Sequence, residues 1–372
     1  MVNTAPDTSG PLFADTGMKL GVFGLNISSA GGLTKGPDRH EPSWEQNLDL
    51  VRQAEAAGFE AAVPISRWRG FEGETNPWGR SLESYTWAAA LAAATTRITV
   101  WATSHVLSVS PLMAAKQLAT IDHISGGRVG LNTVAGWHGK ELRMFGATDL
   151  DHDQRYDYVA EWVDIVTRLW ESNGVDYRGQ FLSIEDGYLE PKPVQQPRPP
   201  LMNAAFSERG QRTAVTFADI VYVSAFNAEM AAAQATKIRQ MAAEEGREVK
   251  VWLASACVIG DTDADAAALI DRWSREDADI PAVQNAIDWT MGAQMDEGMR
   301  QALIPNLAST MAGYPLIGSA ETVTAELGRL AEAGIDGVCH TFMNYETGVP
   351  RFIAEVLPLM ERDGIRRPRE TN

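Results

Sequence analysis

Asp122-His123-Ile124-Ser125-Gly126-Gly127-Arg128-Val129-Gly130-Leu131-Asn132-Thr133-Val134-Ala135-Gly136-Trp137 joins a helix end, a tight turn, a strand and a strand-end loop. The paired glycines supply the φ > 0 backbone that ends a helix. The alternating apolar residues after Arg128 predict a strand whose C-terminal end delivers Asn132 and the Ala-Gly-Trp loop. In a parallel α/β protein that end of a strand is where ligands bind.

Outward from this stretch, strand and helix patterns alternate from Lys19 almost to Leu359, the signature of repeated βα units. Strands are expected at 19–24, 60–65, 97–102, 129–134, 201–205, 220–224, 249–258 and 337–341. Helices are expected at 45–57, 83–94, 111–124, 155–170, 321–333 and 349–360. Eight units in series favour a closed (β/α)8 TIM barrel over an open sheet, and a single α/β domain with insertions suits 372 residues. The barrel is expected over 18–362, between a flexible N-terminal arm, 1–17, and a C-terminal tail, 363–372. The irregular segment 270–318, with Pro281, Trp289 and several methionines, is a candidate lid.

Composition narrows the function. Hydrophobic residues make up 45% and charged residues 22%, an ordinary globular balance. A formal net charge of -17 argues against nucleic acid, which needs a basic stripe to displace counterions. A small ligand is expected, and a phosphate on it must meet local positive charge or a helix N-terminus. No apolar run approaches the roughly eighteen residues of a membrane span, and the first residues lack the pattern of a signal peptide, so a cytoplasmic protein is expected. Cys257 and Cys339 stand in apolar contexts and predict two buried free thiols.

The chemistry is narrowed by elimination. The six histidines show no paired spacing of the kind that binds metal, and no metal is expected. There is no Gly-x-Ser-x-Gly elbow and no glycine-rich phosphate loop. What remains is a set of polar strand-end residues: Asn26, Arg67, Arg69, Ser104, His105, Asn132, Trp137 and Ser207. Ser207, followed by Glu208-Arg209-Gly210, reads equally as a helix cap and as a phosphate site. Arg155-Tyr156 offers a second clamp, although Arg155 also suits a surface ion pair with Asp153 or Asp157. Trp137 suits the wall of a flat ligand. His105 suits either proton exchange or a plain hydrogen bond.

Three blocks carry a resemblance: Arg69-Gly70-Phe71 with Leu82-Glu83-Ser84, Ala119-Thr120-Ile121-Asp122 through Gly136-Trp137, and Arg155-Tyr156-Asp157-Tyr158. With them the chain resembles the bacterial luciferase-like, two-component flavin monooxygenases from Met18 to Met360, and within that family the pyrimidine monooxygenases that open the uracil ring. The resemblance implies FMN contacts from Ser66, Arg67, Asn132, Glu141, Arg155, Tyr156 and Ser207, with Trp137 beside the flavin. It also implies Asn132 and His105 at the reacting edge, and Asn26, Arg69 and Val106 near the substrate. In such enzymes a separate reductase uses NAD(P)H to supply FMNH2, which reacts with O2 to a flavin peroxide that cleaves a C–N bond. A homodimer or homotetramer is implied as well. At the position after the third strand where the pyrimidine enzymes carry a threonine, Val106 is expected here. The loop Ser28-Ser29-Ala30-Gly31-Gly32-Leu33 is similar to that of sulfone monooxygenases, so C–S cleavage is the alternative, and deazaflavin-dependent dehydrogenases share the fold.

Overall fold

The structure, a computed structural model, describes residues 5–147, 150–290 and 295–368. Its strands are β1 Lys19–Phe23, β2 Ala61–Val63, β3 Thr99–His105, β4 Val129–Val134, β5 Val175–Arg178, β6 Ser183–Gly187, β7 Leu201–Ala204, β8 Ile220–Val223, β9 Lys250–Ile259, β10 Tyr314–Gly318 and β11 Gly337–Thr341. All except β5, β6 and β10 are the eight strands expected from the sequence, and the fold class is the (β/α)8 barrel. The chain divides into two compact units.

One unit comprises residues up to Ala14, Ser84–Val223 and Thr236–Val251. Its sheet is parallel in the order β3-β4-β7-β8, with Thr103 opposite Asn132, Asn132 opposite Met202, and Met202 opposite Ile220. Every residue of β3 and β8 is buried, as strands covered on both faces require. The helix Pro111–Ser125 starts with proline at its first turn and stops at Gly126, which has φ 65. Arg128 then reaches back to the end of the helix Ser84–Ala94. Its guanidinium donates to the carbonyls of Ala92 (3.0 Å), Thr95 (2.9 Å) and Ile98 (2.9 Å), and its Nε to Ser125 (2.9 Å). Carbonyls that the helix cannot satisfy itself are thereby paired. Asp122 is fully buried and accepts from the backbone N–H (2.9 Å) and side-chain amide (2.7 Å) of Gln195. The residues 5–14 of the expected arm are held on this unit, with Leu12 buried and Asp7 N–H donating to the Arg198 carbonyl.

The other unit comprises Asp15–Glu83, Ser224–Ala235 and the chain from Trp252 onward, with parallel order β10-β9-β11-β1-β2. The expected tail begins with an anchor: Arg366 is buried against Glu60 (2.8 and 2.9 Å) and donates to the Met18 carbonyl (3.1 Å). Segment 270–318 is more regular than its sequence suggested. It holds a π-helical turn, the helices Ile280–Thr290 and Glu297–Thr310, and β10. Asp279, fully buried, accepts from the N–H of Glu74 (3.1 Å) and both N–H (2.7 Å) and hydroxyl (2.8 Å) of Thr75. Asn285 adds a bond to the Phe71 carbonyl at 2.8 Å. These contacts tie its described part to the loop after β2. Residues 1–4 of the arm, 291–294 of the candidate lid and 369–372 of the tail lie outside the described residues. Cys257 and Cys339 are buried thiols outside any disulfide, and burial pushes the Cys257 thiol up. No helix of the described residues is long and apolar enough to cross a membrane.

Candidate active site

In the first unit the C-terminal ends of β3, β4 and β7 assemble the polar groups. Residues two apart on a strand share a face, so Thr103 and His105 stand on one side of β3 and Ser104 on the other. Asn132 lies across from Thr103 and its Nδ2 donates to Thr103 Oγ1 at 3.1 Å. That bond fixes the amide orientation and leaves Asn132 Oδ1 a buried acceptor with no hydrogen-bond partner. A buried, unpaired acceptor costs about 1–3 kcal/mol unless a ligand fills it.

One strand step farther, His105 Nδ1 lies 3.1 Å from Glu141 Oε1, with both side chains buried. Glu141 belongs to the helix Gly139–Met144, and its own N–H donates to Nδ1 of the capping His138 at 3.1 Å. Trp137, half-buried, packs against His138 with ring centroids 5.4 Å apart.

At β7, Ser207 caps the helix Glu208–Val215, accepting from Gly210 N–H at 3.1 Å, and its hydroxyl meets Tyr156 OH at 3.2 Å. A side chain at 210 would press to 2.6 Å from the Tyr156 ring, so glycine there lets the ring lie on the helix start. The helix leaves the amides of Glu208 and Arg209 outside its own ladder. This donor set fits a phosphate. Arg155, expected as a second clamp, is bonded to backbone carbonyls. Its Nε donates to the Leu150 carbonyl (3.1 Å) and its guanidinium to the Gly136 carbonyl (3.0 Å), which pins the loop that carries Trp137. The ion pair with Asp157 is made by Arg209 instead.

The second unit holds the remaining expected residues. Asn26, fully buried, spends its amide on backbone: Nδ2 donates to Ile65 (2.8 Å) and Leu82 (2.9 Å), and Oδ1 accepts from Ile65 N–H (2.9 Å). It joins the loops after β1 and β2. Arg67 is buried with its guanidinium 5.3 Å from the Trp78 ring. Ser66 beside it is half-buried, while Arg69 is exposed and paired with Glu72 at 2.8 Å. His340 is buried on β11. It lies among Phe59, Phe342 and Phe352 on Ser255 Oγ, and burial pushes it down to about 3.

Two features escaped the sequence. Val106 is fully buried, and the hydroxyl that faces Asn132 belongs to Thr103. The pairing of His105 with Glu141 was also unseen, although both residues were singled out separately. Among the described residues no group of three or more His, Cys, Asp or Glu is placed to hold a metal ion.

A profile of luciferase-like monooxygenases matches residues 18–337. The chain belongs to the luciferase-like monooxygenase family. It is a flavin-dependent monooxygenase, an oxidoreductase; family members use reduced FMN and dioxygen and work with a separate flavin reductase. Pyrimidine monooxygenase RutA of Serratia proteamaculans (strain 568) is 33% identical over 356 residues, covering 92% of this chain and 96% of that protein. Among solved structures, riboflavin lyase RcaE with modified FMN and riboflavin has a TM-score of 0.84 at 20% identity, covering 96% of this chain and 94% of that one. DmoA from Hyphomicrobium sulfonivorans has a TM-score of 0.83 at 18% identity, covering 96% and 91%. These two likenesses show the fold.

Proposed function

We propose that this luciferase-like monooxygenase is a two-component enzyme that takes FMNH2 and O2 and cleaves a C–N bond in a small cyclic amide of the pyrimidine type. The observation that carries the reading is the Thr103–Asn132 pair with its unfilled Oδ1, in a chain 33% identical to a pyrimidine monooxygenase. Ser207, Tyr156 and the start of the helix Glu208–Val215 would hold the FMN phosphate, and Asn132 the ring system. Ser66 and Arg67 are proposed as flavin contacts by resemblance alone. Reduced flavin, when bound, supplies the two electrons with which dioxygen is activated. The chain's own part is to accept a hydrogen bond at Asn132 Oδ1, to hold that oxygen in place through Thr103, and to wall the ligand with Trp137. Arg155 fixes that wall through the Gly136 carbonyl. Burial of these groups excludes water, which strengthens each polar contact. NAD(P)H enters only through the partner reductase, and a homodimer or homotetramer is expected by light scattering.

Turnover with a flavin reductase, NADH, oxygen and uracil is expected to consume oxygen and yield a ring-opened product. Dimethyl sulfone is the competing substrate. Sulfinate release without ring opening, or turnover under argon, overturns the reading.

The phosphate placement has its own check. Aspartate is as good a helix cap as serine, so Ser207→Asp preserves the helix and sets a carboxylate against the phosphate. The FMN dissociation constant is expected to rise at least about tenfold, read by flavin fluorescence. Unchanged affinity contradicts the placement.

A further inference from the structure

We propose that Trp78 is a substrate contact whose indole N–H donates a hydrogen bond to an acceptor oxygen of the substrate. The inference deepens the function proposed above and rests on it. Trp78 lies in the loop after β2, at the strand end where barrel ligands bind. Its backbone has φ 64, a left-handed conformation that a bulky side chain adopts only under strain. Glu72 (φ 59) and Asn76 (φ 46) share that conformation, so three non-glycine residues of one loop are strained together. Such strain persists only where the surroundings over-determine it, and it gathers at functional sites. Here Trp78 N–H donates to the Ser28 carbonyl (3.0 Å), Phe71 N–H to the Pro77 carbonyl (2.9 Å) and Glu72 N–H to Asn76 Oδ1 (3.0 Å).

The ring that this backbone presents is fixed by its neighbours. The Arg67 guanidinium lies 5.3 Å from the ring centre, and the Phe71 ring lies 5.1 Å away, tilted by 47°. Neither contact uses the one polar atom of the indole. Nε1 is buried with no hydrogen-bond partner, while the residue as a whole is half-buried. An unfilled buried donor and a strained backbone both oppose folding, and a ligand that accepts from the donor offsets them. The indole N–H only donates, so that ligand must offer an acceptor. A carbonyl or sulfonyl oxygen fits, whereas an ammonium or an aliphatic group does not. Arg67 is a flavin contact by resemblance, which sets the indole one side chain from the flavin.

Trp78→Phe keeps an aromatic ring and removes the N–H, so it separates the hydrogen bond from the packing. With oxidised FMN bound, the Trp78 indole proton, assigned by its absence in the variant, is expected to move downfield in 1H–15N spectra when uracil is added. The uracil dissociation constant is expected to rise about tenfold in Trp78→Phe, as for the loss of one buried hydrogen bond. The FMN dissociation constant is expected to change by less than about threefold, and the melting temperature by less than about 2 °C. Dimethyl sulfone is the second probe, because its oxygens also accept. A resonance that answers to the sulfone alone upholds Trp78 as the donor and overturns the cyclic amide of the function proposed above, so the two failures are told apart. A resonance that moves with neither probe overturns the inference. So does a variant that binds both probes as the parent does, or one whose weaker binding is matched by an equal loss of flavin affinity or of melting temperature.

Discussion

Asn132→Ala is expected to let flavin oxidation continue while product per flavin falls by about a hundredfold, or about 2.7 kcal/mol of transition-state stabilisation. Loss of one preorganised polar group in a water-excluded site costs about 10²–10³ in rate. Asn132 qualifies because its Nδ2 is committed to Thr103 and its Oδ1 is buried without a partner. The same substitution removes an unsatisfied acceptor, which offsets the hydrogen bond lost by Thr103. Stability is therefore expected to stay within about 1 kcal/mol of the parent. Oxygen uptake, peroxide release and product are measured together with the melting temperature. A variant that keeps its coupling, or one that loses it only by unfolding, removes Asn132 from the reacting edge.

Asp219→Ala is expected to be the most destabilising single change in the first unit, by about 3–5 kcal/mol. Asp219 takes a bidentate pair from Arg198 (2.7 and 2.9 Å), a bond from Leu201 N–H (2.8 Å) and another from Arg247 (3.2 Å). Arg198 has no exposure at all, and burial already pushes the Arg247 guanidinium down against the pull of Asp219. Removing the carboxylate leaves two cations without their anion inside the protein, which costs far more than the net worth of the intact network. The melting temperature is expected to fall by about 4–6 °C. Asp219→Asn keeps an acceptor for Leu201 and is expected to lose less. A drop below about 3 °C for the alanine variant would mean that water reaches Arg198.

The strand count was legible because strands buried on both faces read as apolar runs between turn residues. β3 shows where that signal fails. Its apolar run ends at Ala102, so the strand was expected at 97–102, yet it extends through Thr103 and Ser104 to His105. Polar side chains inside a barrel strand break the pattern because they serve the ligand and not the core. Asn26 shows what the sequence does not carry: its three backbone bonds, which clasp two loops, join residues 39 and 56 positions apart. β10 was missed because it lies inside the irregular segment 270–318; its Pro315 stands at a sheet edge, where it costs no ladder bond.

By itself the sequence from Asp122 to Trp137 determined a helix stop, a strand and a loop, because φ > 0 at Gly126 and the alternation that follows are local properties. It also determined the family, since the spacing of that motif is carried in the chain. Tertiary structure alone decided what each residue of the motif does. Arg128 closes helix carbonyls about thirty positions back, and Asp122 receives a glutamine from 195. Asn132 has its orientation set by Thr103 from the neighbouring strand. Hydrogen bonds between groups far apart in sequence depend on which strands become neighbours, and no local propensity encodes that distance.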